Sequence, residues 1–214
     1  MSADTVSSPG DIGDIDEVRL LLGQTRAELD ACRTELAACK RQLQDMGEVL
    51  LEQNASDALT GLGNRRAFNR VMGQQTARTA RSQSPLALAF IDIDHFKIFN
   101  LELGRASGDA ALQKIAQALQ SHARAYDHVL RFDDRKLAIV LPDTPGEAAR
   151  SVAERVRNAV ENLAWPHRPL TVSIGVATTR TASGGKTIIE RADNALLQAK
   201  RRGRNCVVVL EDPS

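Results

Sequence analysis

The chain has 214 residues, 43% hydrophobic and 26% charged, and its 28 Lys and Arg nearly balance 27 Asp and Glu for a formal charge of +1. That balance excludes the broad basic excess of a nucleic-acid binder or a polybasic membrane-surface protein, and no apolar run approaches the roughly 20 residues of a membrane helix. Cys32, Cys39 and Cys206 form neither an even disulfide framework nor a zinc-ligand spacing, and the acidic start lacks a signal peptide's basic and apolar regions, so free thiols and a cytoplasmic location are expected.

Residues 1–15, rich in Gly, Ser and Asp, are predicted to form a disordered acidic arm. A coiled-coil segment is predicted over residues 16–56, its helix running from Asp16 towards Gln53. Leu22, Leu29, Leu36, Leu43 and Leu50 recur every seven residues, and Val18, Thr25, Cys32, Cys39 and Met46 fill the second seam. Glu28 and Glu35 stand five residues before Arg33 and Lys40, the register in which parallel two-stranded coils pair across chains, so a homodimer is expected.

From 57 to 214 strands and helices alternate. Asn64 caps a helix to about Arg81; "LALAFIDID" is a buried strand; Ser107 to Arg124 is helical; a hairpin follows; Pro145 opens a helix to about Leu163. "LTVSIGVATT" is a strand, Thr187 to Arg202 a helix and "NCVVVL" a last strand. This order implies an α/β domain on a mixed, partly antiparallel sheet flanked by helices, because a hairpin joins neighbouring strands directly. The hairpin, "VLRFDDRKLAIVLP", carries four charges at its tip, Asp133, Asp134, Arg135 and Lys136, where a tight turn more often uses Asn-Gly or Gly-Gly. "SGGKT" at 183–187 looks like the tail of a phosphate loop, but Arg180 stands where the earlier glycine belongs and no strand leads into it.

Five stretches in order and spacing resemble the GGDEF family of diguanylate cyclases: "DALTGLGNRRAF" from Asp57, "DIDHFKIFN" from Asp92, Gly108-Asp109, "VSIGVA" from Val172 and "RADNALLQAKRRGRN" from Arg191. In that family two GTP-loaded domains meet and join their nucleotides into cyclic di-GMP. The resemblance implies the family's sheet with flanking helices and places its Gly-Gly-Asp/Glu-Glu-Phe signature on the hairpin tip. Here those positions read Asp133, Asp134, Arg135, Lys136 and Leu137, all departures. The family's metal would be held by the residues matching Asp92 and Arg135. A guanidinium in place of a carboxylate repels a divalent ion, so a degenerate domain with no catalytic residue, no metal and no cofactor is expected. Arg135 and Lys136 could instead grip a triphosphate directly, without activating a nucleophile.

What survives is a residual nucleotide pocket. By resemblance Asn100 and Asp109 would contact guanine and Lys200 and Arg204 the phosphates, and Lys97 stands at the matching lysine of the strand motif; capping for the first pair and a basic helix end for the second are the plain structural readings. Leu101, Leu103 and Arg105 depart from the family's usual residues beside Asn100. "RAYD" matches the family's inhibitory Arg-x-x-Asp site for cyclic di-GMP, with Arg124, Asp127 and, on the following helix, Arg155; a local ion pair is the structural alternative. The resulting expectation is an inactive receptor for cyclic di-GMP that relays its state through a dimeric stalk to an unknown protein partner. A protein-interaction module that binds no nucleotide and a GTP sensor using the residual pocket stand as alternatives.

Overall fold

The computed structural model describes residues 12–53, 55–180 and 184–211, with side-chain surroundings for 19–42, 55–180 and 187–211. The chain divides into two units, Met1–Asn54 and Ala55–Ser214. The boundary falls two residues ahead of the expected start at Asp57.

The first unit contains one helix, α1 (Ile12–Gln53), of 42 residues and therefore about 63 Å long. It begins four residues before Asp16, so residues 12–15 belong to the helix and not to the expected acidic arm; residues 1–11 lie outside the described residues. Leu22, Leu29 and Leu36 of the expected seam are exposed, as are Cys32 and Cys39. The side chains of Val18, Leu43, Met46 and Leu50 lie outside the described residues. A long helix with an uncovered heptad stripe is consistent with a coiled coil.

The second unit is a five-stranded mixed sheet between two helical layers. Its strands are β1 (Leu86–Ile93), β2 (His128–Arg131), β3 (Lys136–Leu141), β4 (Val172–Thr179) and β5 (Val207–Leu210), in the order β2-β3-β1-β4-β5. All pairs are antiparallel except β4 and β5, which the crossover helix α6 (Gly184–Arg201) brings together in parallel. The central strand β1 is buried along its whole length, and its alternation sorts the core. Ala87, Ala89, Ile91 and Ile93 pack with α4 (Arg105–His122) and α5 (Gly146–Glu161). Leu86, Leu88 and Phe90 pack with α2 (Arg65–Ser82) and α6. Asp92 and Asp94 share the second parity, so the strand's end delivers carboxylates to the α6 side.

Helix ends follow local chemistry. Asn64 accepts from the N–H of Arg66 and Ala67 and starts α2 as expected, and Pro145 precedes the first turn of α5. α3 (Phe96–Leu103) is an element the sequence reading did not expect, and α4 starts two residues before Ser107 and ends before Arg124. α6 starts at Gly184, three residues ahead of Thr187.

The loop ahead of α2 is tied down by Asp57. Its Oδ1 accepts from Thr60 N at 2.8 Å and Thr60 Oγ1 at 2.6 Å, and Arg131 Nη1 of β2 reaches both carboxylate oxygens at 3.0 and 3.1 Å. Burial works to raise this carboxyl's pKa, but the hydrogen bonds from Thr60 and Arg131 prevail and hold it below the 3.8 of an ordinary aspartate. A group depressed on folding contributes stability that is complete above its unfolded pKa and is lost as pH falls through the folded one. Thr60→Val, which deletes the hydroxyl donor, is expected to lessen the drop in melting temperature as pH is lowered below about 4; an unchanged acid limb would show that Asp57 carries no such linkage.

Candidate functional site

The hairpin tip is built by its own side chains. Asp133 Oδ1 accepts from the N–H of Arg135 at 3.2 Å and of Lys136 at 2.9 Å, a local carboxylate turn that replaces the conformational freedom of glycine. Arg131 closes the other side, donating to the carbonyls of Asp133 at 3.3 Å and Asp134 at 2.9 Å. Leu137 is fully buried and anchors the strand that leaves the tip.

The two tip cations do different things. Lys136 lies opposite Asp92 in the β1–β3 register, reaches across to Asp193 of α6 at 2.6 Å, and keeps its ammonium 5.3 and 5.5 Å from the rings of Phe90 and Phe132. It is a strut between sheet and helix. Arg135 turns to the end of β1 instead: its Nε lies 3.5 Å from Asp92 Oδ2 with 54% of the side chain still exposed.

Asp92, 4% exposed, is held chiefly by Lys200, whose Nζ sits 2.8 Å from the same oxygen. A buried carboxylate without a cation would be costly, so Lys200 fixes its charge in place. Asp94 is spent differently: Ser173 Oγ donates at 2.7 Å, Thr171 Oγ1 at 2.8 Å and Asn205 N at 3.1 Å, binding the end of β1 to β4 and to the turn before β5. A divalent metal, which the resemblance implies at Asp92, does not fit this arrangement. The carboxylate already faces two cations, the neighbouring Asp94 has its oxygens engaged, and among the described residues no three His, Cys, Asp or Glu side chains converge.

Lys97 and Arg204 join Asp92, Arg135 and Lys200 along a cleft of about 250 Å³. Arg204 has a left-handed backbone (φ 67°), and its N–H donates to Ala199 O beyond the last turn of α6, which is how that side chain is set at the cleft's edge. Asn100 and Asp109 do not line this cleft. Asn100 lies on α3 with its Oδ1 buried, without a hydrogen-bond partner among the described residues, against Gly108, where a Cβ would stand 1.8 Å from it; Asp109 is exposed on α4. The glycine of the Gly-Asp pair thus makes room for the Asn100 amide.

The third group gathers at the end of α4. Asp127 does not form the ion pair with Arg124 that would be its plainest role: its Oδ2 accepts the backbone N–H of Arg124 at 2.7 Å, and its Oδ1 is buried without a partner among the described residues. Among the described residues the Arg124 guanidinium reaches only the Tyr126 hydroxyl, at 3.4 Å. Arg155 of α5 donates to His122 O at 2.9 Å, which brings it to the same helix end.

The sequence reading missed Asp94 as a structural carboxylate, Asp193 as the partner of Lys136, and the Asp57–Arg131 tie. The period-2 spacing of Asp92 and Asp94 was the available signal for the first. For the other two there was none, because the partners come from distant segments.

The chain matches the family described as Diguanylate cyclase, GGDEF domain, over residues 54–206. It is 38% identical over 154 residues to diguanylate cyclase DgcP of Pseudomonas aeruginosa, covering 70% of this chain and only 23% of that protein's length. Among solved structures it is similar to diguanylate cyclase SiaD in complex with its activator SiaC from Pseudomonas aeruginosa, at TM-score 0.71 and 32% identity over 92% of this chain and 80% of that one. It is also similar to the coiled coil and GGDEF domain of DgcB from Caulobacter crescentus in complex with c-di-GMP, at TM-score 0.71 and 28% identity over 85% and 99% of the two chains. With the matched segment covering α2 to α6 and strands β1 to β4, the chain belongs to the GGDEF family of diguanylate cyclases.

Proposed function

We propose that this chain is a catalytically inactive GGDEF domain that acts as a receptor for cyclic di-GMP, with Arg124, Asp127 and Arg155 as the ligand-binding side chains. In this reading α1 forms a parallel homodimer that passes the bound state to a protein partner. The observation that carries it is the Asp127 carboxylate, of which one oxygen holds the local turn while the other is buried and unpaired. An unpaired buried acceptor costs about 1–3 kcal/mol, and the N–H donors on a guanine edge would relieve it. Arg124 is exposed and weakly held, and Arg155 stands at the same helix end; a guanidinium takes guanine O6 and N7 or a phosphate in bidentate fashion. The DgcB relative is itself a complex with c-di-GMP, which supports the ligand class. Ligand binding shifts a domain arrangement only by its differential affinity for two arrangements.

The activator-bound state of SiaD favours a second reading, a module that contacts a protein and binds no nucleotide. The unpaired Oδ1 of Asn100 favours a third, a GTP sensor through Lys97, Asn100, Asp109, Lys200 and Arg204. Calorimetric titration of the full chain separates them. Cyclic di-GMP is expected to bind in the micromolar range, and Arg124→Ala to weaken it by at least about tenfold, the worth of one charge-assisted hydrogen bond. Silence towards cyclic di-GMP alongside binding of GTP would favour the sensor, and silence towards both ligands the interaction module.

A further inference from the structure

A second hollow lies between α3, α4 and the loop that joins α5 to β4, and it shares no residue with the cleft beside Asp92. It encloses about 350 Å³. Ser107, Ala110 and Ala111 of α4 form its floor, side chains too short to fill the space. Phe99 of α3 and Trp165 of the loop are aromatic walls, and both are fixed in place. Phe99 is buried and lies nearly parallel to Phe96, ring centres 6.4 Å apart. Trp165 packs against the core on one side, and its indole Nε1 donates to Val160 O at 3.2 Å. Lys114 draws the loop onto the helix: its Nζ donates to Ala164 O at 2.6 Å and stands 5.8 Å from the centre of the Trp165 ring.

This arrangement leaves one charge unbalanced. No Asp or Glu lines the hollow, and among the described residues Lys114 has no carboxylate partner. An ammonium carries three donors, and the Ala164 carbonyl takes one of them. We infer that the hollow is a binding site for a small aromatic carboxylate, whose ring packs against Trp165 over the alanine floor while its anion accepts from Lys114 Nζ. The volume falls at the lower end of the range of small-molecule sites, and mostly apolar walls with one placed polar group are what such a site needs. The aromatic walls supply contact area and the cation supplies selectivity for charge. A cationic ligand is disfavoured by Lys114, and a bare phosphate would leave the rings uncovered. The site is separate from Arg124, Asp127 and Arg155, so it stands whether or not the chain binds a nucleotide.

Trp165 is the only tryptophan of the chain, so its indole N–H gives one assignable signal in a proton–nitrogen correlation spectrum of the full chain. Titration with 2-naphthoate is expected to move that signal saturably, with a Kd below about 1 mM. 2-Naphthamide, the same ring without the charge, is expected to bind about tenfold more weakly, the worth of one charge-assisted hydrogen bond. Lys114→Met keeps the apolar stem and removes the ammonium, so it should cost the carboxylate about the same factor and leave the amide unchanged. Ala110→Leu puts a good helix former at an exposed position and fills the hollow, so both probes should lose their shift while the melting curve stays with the parent. That second variant keeps the test decisive if Lys114→Met loosens the loop. No saturable shift with 2-naphthoate, equal affinity for acid and amide, or binding that survives Ala110→Leu would each overturn the inference.

Discussion

Given GTP and excess magnesium, the protein is expected to form no cyclic di-GMP, and Arg135→Glu alone is expected to leave it inactive. Condensation of a 3′-hydroxyl with an α-phosphate calls for a divalent ion to neutralise the triphosphate and activate the attacking oxygen. The carboxylate that would hold it, Asp92, is committed to Lys200 at 2.8 Å and faces Arg135 at 3.5 Å. One pair of unit charges 4 Å apart interacts by about 4 kcal/mol at an effective dielectric of 20, so a cation beside the metal position reverses a contribution of several kcal/mol. Loss of that stabilisation corresponds to on the order of a 10⁴-fold lower rate. Restoring one acid at position 135 removes only one obstacle. Lys136 remains a strut to Asp193, and Asp133 and Asp134 still put side chains and negative charge on the tip. Chromatography of the nucleotide products, with an active cyclase alongside, reads the outcome; product at even a hundredth of the active enzyme's rate would defeat the reading of inactivity.

The elements that could be read in advance are those whose signal is local. The strand of β1 shows as an unbroken apolar run because both of its faces are covered, the hairpin as two runs around a polar tip, and α1 as a leucine repeat. α3 escaped because its eight residues, "FKIFNLEL", are too few for a helical period, and it opens on a left-handed His95 with no side-chain cap. The candidate site divides in the same way. Which residues stand at the tip and at the end of β1 was plain from motif spacing. What they do was not: Asp94 finds its partners 77, 79 and 111 residues away, and Lys136 meets Asp193 57 residues away. Periodicity carries no information about such pairings. Asp127 is an intermediate case, since its turn is local but the burial of its second oxygen depends on packing around α4.

Gly175→Ala is expected to destabilise the domain by about 3 kcal/mol or more, a large share of the 5–15 kcal/mol typical of a folded protein. Gly175 lies in β4 where α6 crosses, and a Cβ there would stand 2.0 Å from Leu196 N, 2.4 Å from Ala192 O and 2.5 Å from Leu196 Cα. All three are backbone atoms, so no rotamer change relieves the clash and the helix itself must retreat. Ala192, Ala195 and Ala199, fully buried on the same helix, let it sit this close to the sheet, and their contacts would open together. The same helix carries Asp193 to Lys136 and Lys200 to Asp92, so its displacement also loosens the charges that define the cleft. For a domain of this size the loss should appear as a fall of about 6–12 °C in melting temperature. Gly73→Ala supplies the contrast within one protein. It lies in the exposed interior of α2 with nothing within 4 Å of the added methyl group, so the better helix former should raise stability by up to about 1 kcal/mol. Melting curves of the two variants moving in opposite directions would tie Gly175 to the approach of α6. A Gly175→Ala protein that melts within about 1 °C of the parent would mean that β4 and α6 can separate at little cost, contrary to their close backbone packing.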